Sequence, residues 1–132
     1  MKYTRFEEMP VWQDAICLAQ AVFKLTRTET FHHQWGLVDQ LQRAAISVSN
    51  NIAEGFERST VRELLQFIYY AKGSAGEVRS MCHALRGLEG FEAVQKQLVE
   101  ILEFSEGIGR QLGAWAASQR NGRLSGSRYN SE

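Results

Sequence analysis

Histidine, cysteine and carboxylate side chains are the usual bearers of metal ligation and acid–base chemistry, and here they are sparse and poorly spaced. Glu29-x-x-His32 has the form in which di-metal helical bundles present paired ligands. It falls in Arg27-Thr28-Glu29-Thr30-Phe31-His32-His33, where β-branched and polar residues interrupt any helical pattern, so the segment reads as a connector. Neither His33 nor His83 has a glutamate three residues before it, and no metal centre is expected. Cys17 and Cys82 lack a CxxC partner and are too few for a disulfide framework; both read as reduced thiols, Cys82 on an apolar seam as a small hydrophobe. No nucleophile, base and orienting group assemble from sequence order, and no strand precedes a glycine-rich phosphate loop. The expectation is a protein that is not an enzyme and holds no cofactor.

What remains is chemistry of contact. At about 100° per residue, Arg43, Ser47, Asn50 and Glu54 fall in one stripe, roughly opposite the seam Leu41/Ala45/Val48/Ile52. They are expected to point away from the core, either as a solvated face with weak i,i+4 pairs or as a hydrogen-bonding surface for a subunit or ligand. Asn51 sits at the edge of the seam, where a buried amide needs partners, and is expected to lock its helix against a neighbour. Phe67, Tyr69, Tyr70 and Met81 exceed what one apolar stripe can bury, and such surplus marks association. Glycine inside a helix costs about 1 kcal/mol relative to alanine, so Gly73-Ser74-Ala75-Gly76 and Gly109-x-x-x-Gly113 read as contact surfaces, within the bundle or between subunits. The candidate interaction surface is thus Arg43, Ser47, Asn50, Glu54, Phe67, Tyr70 and Gly73.

Four helices must position these groups. Pro10 suits a first helical turn, and Trp12, Ala15/Ile16, Ala19 and Val22/Phe23 follow at helical period, predicting a helix over Pro10 to Thr26. Val38, Leu41, Ala45, Val48 and Ile52 step by 3 and 4, with Gly55 as a C-terminal signal, predicting a second over Gln34 to Phe56. Thr60 with Glu63 forms a capping box, with Ser59 as competitor. From there Val61, Leu64, Ile68, Ala71, Ala75, Val78, Cys82 and Leu85 carry a long third helix to Gly87–Gly90. Phe91, Val94, Leu98, Ile101, Ser105, Ile108, Leu112 and Trp115 repeat the pattern in a fourth, ending near Asn121-Gly122. Residues 123–132 are rich in Gly, Ser and Asn without apolar period and are expected to form a disordered tail. No segment alternates with period two, and short connectors make neighbouring helices antiparallel. The predicted fold is all-α: an up-down-up-down, left-handed four-helix bundle over residues 1–122.

A chain of 132 residues, 44% hydrophobic with one proline, is one folded domain. Fifteen basic and fifteen acidic side chains cancel, which disfavours strong nonspecific nucleic-acid binding but leaves room for a local patch. No apolar run approaches the roughly 18 residues of a membrane helix, and Met1–Glu8 lacks the apolar core of a signal peptide, so a cytoplasmic location is expected.

The run Gln40-Leu41-Gln42-Arg43-Ala44-Ala45-Ile46-Ser47-Val48-Ser49-Asn50-Asn51-Ile52-Ala53-Glu54-Gly55 resembles the signature of the four-helix-bundle proteins encoded in 23S rRNA intervening sequences. The likeness extends to Val11–Ala15, Trp35-Gly36-Leu37, Arg58-Ser59-Thr60, Glu63-Leu64 and Gly73-Ser74, and covers roughly residues 6 to 118. Where many members have proline this chain has Ser49, which implies a straighter second helix. The resemblance implies a homopentamer without established enzymatic activity. A related group, the accessory proteins of diversity-generating retroelements, shares the pentameric bundle and binds a reverse transcriptase and nucleic acid through a strongly basic surface. The zero formal charge departs from that pattern. The expected function is therefore a non-enzymatic oligomeric scaffold or interaction protein. The alternative is an RNA- or ribonucleoprotein-binding accessory factor, using a ring drawn from Arg27, Arg58, Arg62, Arg79, Arg86 and Arg110.

Overall fold

The computed structural model describes residues 2–125, with side chains described to residue 122. The described residues form α1 (Pro10–Thr26), α2 (Trp35–Phe56), α3 (Val61–Leu85) and α4 (Gln95–Ser125), with no strand among them. Short 3-10 turns at Phe6–Glu8, Glu29–Phe31 and Glu92–Val94 precede α1, α2 and α4.

Each helix packs on its neighbours in the chain, and α1 closes the ring against α4. Contacts between neighbours run in opposite directions. Thr26 at the end of α1 meets Gln42 early in α2, whereas Phe6, just before α1, meets Phe56 at the end of α2. Ser47 reaches Ser74 while Gly55, later in α2, faces Phe67, earlier in α3. Lys72 approaches Gly113 and Arg79 approaches Glu106 across α3 and α4. Gln111 donates to Asp14 across the α4–α1 seam at 2.9 Å.

The core is one apolar cluster in which every expected α3 seam residue from Leu64 to Leu85 is buried. In α1 the expected Ala15, Ala19 and Val22 are buried, but the stripe they belong to runs through Val11, Leu18 and Leu25, while the stripe through Trp12, Ile16 and Phe23 is half-buried at its margin. Both stripes fit the helical period, and the smaller one faces inward because closely spaced helices leave little room for rings between them. Trp12 instead packs against Phe6, ring centroids 5.3 Å apart. At the end of α4, Ala116 is buried and Trp115 is half-buried for the same reason.

Buried hydroxyls satisfy themselves locally. Thr26, Ser49 and Ser105 donate to the carbonyls of Val22, Ile46 and Leu102 in their own helices. α2 runs unbroken through Ser49. Thr60 caps α3 by accepting from the Glu63 amide at 3.1 Å, and its hydroxyl donates to Glu63 Oε1 at 3.3 Å. Gly87 and Gly90, at φ 73 and 98, turn the chain between α3 and α4. The fourth helix differs from expectation at both ends: Glu92–Val94 is a 3-10 turn, and the helix continues through 123–125. The rest of the expected tail, 126–132, lies outside the described residues.

Candidate interaction surface

At Gly55 α2 lies close against α3. A Cβ there would stand 2.9 Å from Phe67 Cβ and 3.3 Å from Leu64 Cδ1. It is a buried residue inside α2, not the C-terminal signal its position suggests, and the helix ends one residue later. The missing side chain lets Phe67 settle half-buried against α2, with the Arg58 guanidinium over its ring at 4.8 Å from the centroid. Arg58 in turn meets the Glu54 carboxylate at 2.5 Å. On the other side, Tyr70 meets Phe67 edge-on at 5.6 Å, and its hydroxyl accepts from Gln66 at 2.8 Å. Glu54, Arg58, Phe67, Tyr70 and Gln66 thus form a continuous ledge from the end of α2 across α3. Tyr70 is half exposed at 50%, and Tyr69 beside it at 45%. Arg120 on α4 is hydrogen-bonded to the Tyr69 hydroxyl.

The expected stripe on α2 divides. Glu54 joins the ledge. Ser47 does not point away from the core: it is half-buried and accepts from Ser74 on α3 at 2.9 Å and from Asn51 Nδ2 at 2.8 Å. Its position on the helix wheel is opposite Leu41, yet α2 is flanked by both α1 and α3, so two sides of its circumference are covered. Asn51 spends its amide on Ser47 rather than directly on a neighbouring helix, and reaches α3 only through that serine. Arg43 is exposed and pairs with Asp39 one turn earlier, away from the ledge. Asn50 is exposed, with no side-chain partner among the described residues.

Gly73 lies one turn beyond Tyr70 with open space where a Cβ would be, as do Gly76 and Gly109. Gly107 and Gly113 face only the mobile ends of Arg110 and Lys72, at 3.7 and 3.5 Å. Tight packing within the chain therefore does not account for any of these five glycines. Gly76, Gly109 and Gly113 border a cleft between α3 and α4 that also holds Lys72, Arg79, Glu106 and Arg110. A second, more apolar cleft of about 530 Å³ lies between α1 and α4, lined by exposed Cys17 and Phe104 together with Ala21 and Ile101.

Cys82 is fully buried, and desolvation pushes its thiol up to about 11 from the ordinary 9.0. No three His, Cys, Asp or Glu side chains gather as a metal site among the described residues. No described helix is long and apolar enough to cross a membrane.

With this geometry, the comparison that decides kinship is a family model. The model for the 23S rRNA-intervening sequence protein matches residues 7–114. The chain belongs to that family. The match spans α1, α2, α3 and two thirds of α4, so the ledge, Gly55 and both clefts lie within the family's shared region. A comparison with curated proteins finds no match.

Proposed function

We propose that this member of the 23S rRNA-intervening sequence protein family is a non-enzymatic scaffold that works by self-association through the outer side of α3. One observation carries the reading: beside half-buried Phe67, the chain's own packing leaves Tyr70 half exposed and Gly73 and Gly76 open where a Cβ would stand. Large exposed rings beside exposed backbone suit close approach of another helix. A closed ring needs two different complementary faces. The α3 ledge is one, and the polar edge of α2 with Arg43 and Asn50 is the candidate for the other. A count of five rests on the family resemblance. The reading places the protein in the cytoplasm, in keeping with its two free thiols.

Size exclusion with light scattering tests it. The expected mass is a multiple of 15.0 kDa, and Tyr70→Glu lowers that mass while the helical circular dichroism is kept. A monomeric mass at tens of micromolar overturns the scaffold, and loss of helicity in Tyr70→Glu would assign Tyr70 to the fold instead. The accessory-factor alternative depends on its arginines. Arg58 is engaged with Glu54, and Arg79 and Arg110 both approach Glu106 at 3.9 Å, which leaves Arg27, Arg62 and Arg86 without ion pairs among the described residues. A mobility shift with structured RNA that fades steeply with salt would favour that alternative.

A further inference from the structure

The end of the bundle where α1 passes into α2 presents aromatic rings outward in a fixed arrangement. Trp35, the first residue of α2, is 75% exposed, more than any other large apolar side chain among the described residues. His33 meets it edge to face, centroids 5.3 Å apart, and His32 lies stacked on His33 at 4.4 Å with planes 13° apart. The turn that carries them is pinned from below. Phe31 is buried against Phe91, and the amides of His32 and Gln34 donate to the carbonyls of Glu29 and Phe31. His33 has φ 69, a left-handed conformation that costs a residue with a Cβ energy and persists where the surroundings enforce it. The backbone that carries these rings is therefore held in place, and the adjacent Gly36 leaves open space around its own backbone.

Two charged side chains share the depression of about 530 Å³ beside these rings: Arg27 and Glu29. Neither has an ion-pair partner among the described residues. A ligand that complements the site has a flat π-face for the open side of Trp35, an anionic group for the Arg27 guanidinium, and an N–H for the Glu29 carboxylate. A nucleotide has all three: the base stacks, the phosphate pairs with arginine, and an exocyclic amine donates to carboxylate. The geometry points to a nucleotide-binding site at Trp35, His33, Arg27 and Glu29, selective for bases with an exocyclic amine. The unit is free or part of a single strand, since both offer the same chemistry. The site lies away from the α3 ledge and does not depend on the self-association reading.

The test is fluorescence anisotropy of labelled single-stranded oligoadenylate, oligocytidylate and oligouridylate, with adenosine monophosphate as competitor. Saturable binding is expected, with uridylate weakest. Trp35→Ala should weaken it about tenfold or more, Trp35→Tyr should keep most of it, and Glu29→Gln should narrow the gap between adenylate and uridylate. Tyr70→Ala, on the other face, should leave it unchanged. Efficient competition by adenosine monophosphate identifies the single nucleotide as ligand; a bound strand without competition identifies single-stranded nucleic acid. Quenching of tryptophan emission on titrating unlabelled adenylate into the unaltered protein gives the same answer should Trp35→Ala misfold. The proposal is overturned if neither probe binds or if folded Trp35→Ala binds as well as the parent. It is also overturned if Trp35→Ala changes the oligomeric mass, which would make Trp35 a subunit contact.

Discussion

Glycines in this chain do two opposite things, and substituting them separates the two. Gly55→Ala gains helix propensity but forces its new methyl to within 2.9 Å of Phe67 Cβ, an atom fixed to the α3 backbone. Such overpacking costs about 1–3 kcal/mol and should outweigh the gain of about 1 kcal/mol. Gly73→Ala meets nothing within its own chain and should stabilise the isolated bundle by up to about 1 kcal/mol. Urea titration reads both; a Gly55→Ala variant as stable as the parent would show that α2 and α3 can part without cost. Cysteine supplies a second contrast. Cys17 is exposed and should react at once with a thiol reagent, whereas Cys82 should react only on unfolding. Because the folded Cys82 thiol is raised from 9.0 to about 11, its contribution to stability is intact below pH 9. Between pH 9 and 11 the unfolded chain alone loses that proton, and stability falls. Cys82→Ala should flatten that part of the stability curve, and an unchanged alkaline slope would mean that other groups set it.

The helices themselves were largely legible. Pro10 and Thr60 mark true helix starts, and the 3-and-4 spacing of α2, α3 and α4 finds the buried face because one repeat can satisfy only one direction. Ile68→Ala and Leu98→Ala should each cost about 2–5 kcal/mol in chemical denaturation, since both side chains are fully buried and their loss leaves cavities. A near-zero effect at either would mean that the helices collapse into the space. α1 was harder to read because it is apolar on more than one side: Trp12 and Phe23 compete in the pattern with Leu18 and Leu25. Only the available room between helices selected the smaller set. The end of α4 is not legible either: Gly122 reads as a stop, yet the helix runs on to Ser125. The ledge was half legible: Phe67 and Tyr70 stood out as surplus rings, but Arg58 and Gly55, which hold Phe67 in place, carry no signal until α2 and α3 are side by side.

For the assembled bundle, the seam between α1 and α4 is the least filled, with the cleft at Cys17 and Phe104 opening beside it. Elements with fewer buried neighbours open more readily. Backbone amides of α1 should therefore exchange with solvent sooner than those of α3, as measured by hydrogen exchange under native conditions. Equal protection of the two helices would mean that the cleft is covered in solution, as a subunit seated on it would do.

Element type, number and most of the inward faces followed from the order of residues, because helical periodicity, proline at a first turn and a threonine cap are local physics that nearby residues settle among themselves. The resemblance to the family was legible in the same way, from the run at Arg43 to Gly55, and the family model bears it out over residues 7–114. What side chains meet across the bundle was settled only by packing. Ser47 was turned from an outward group into a bridge to Ser74 because α3 covers that side of α2. The glycines of α3 and α4 proved open, and Gly55 proved tight, because the distance between two helices is a property of neither alone. The connector that reads as mere interruption of periodicity became a fixed group of rings because buried Phe31 anchors it, and a non-glycine φ of 69 at His33 is not written in any local spacing.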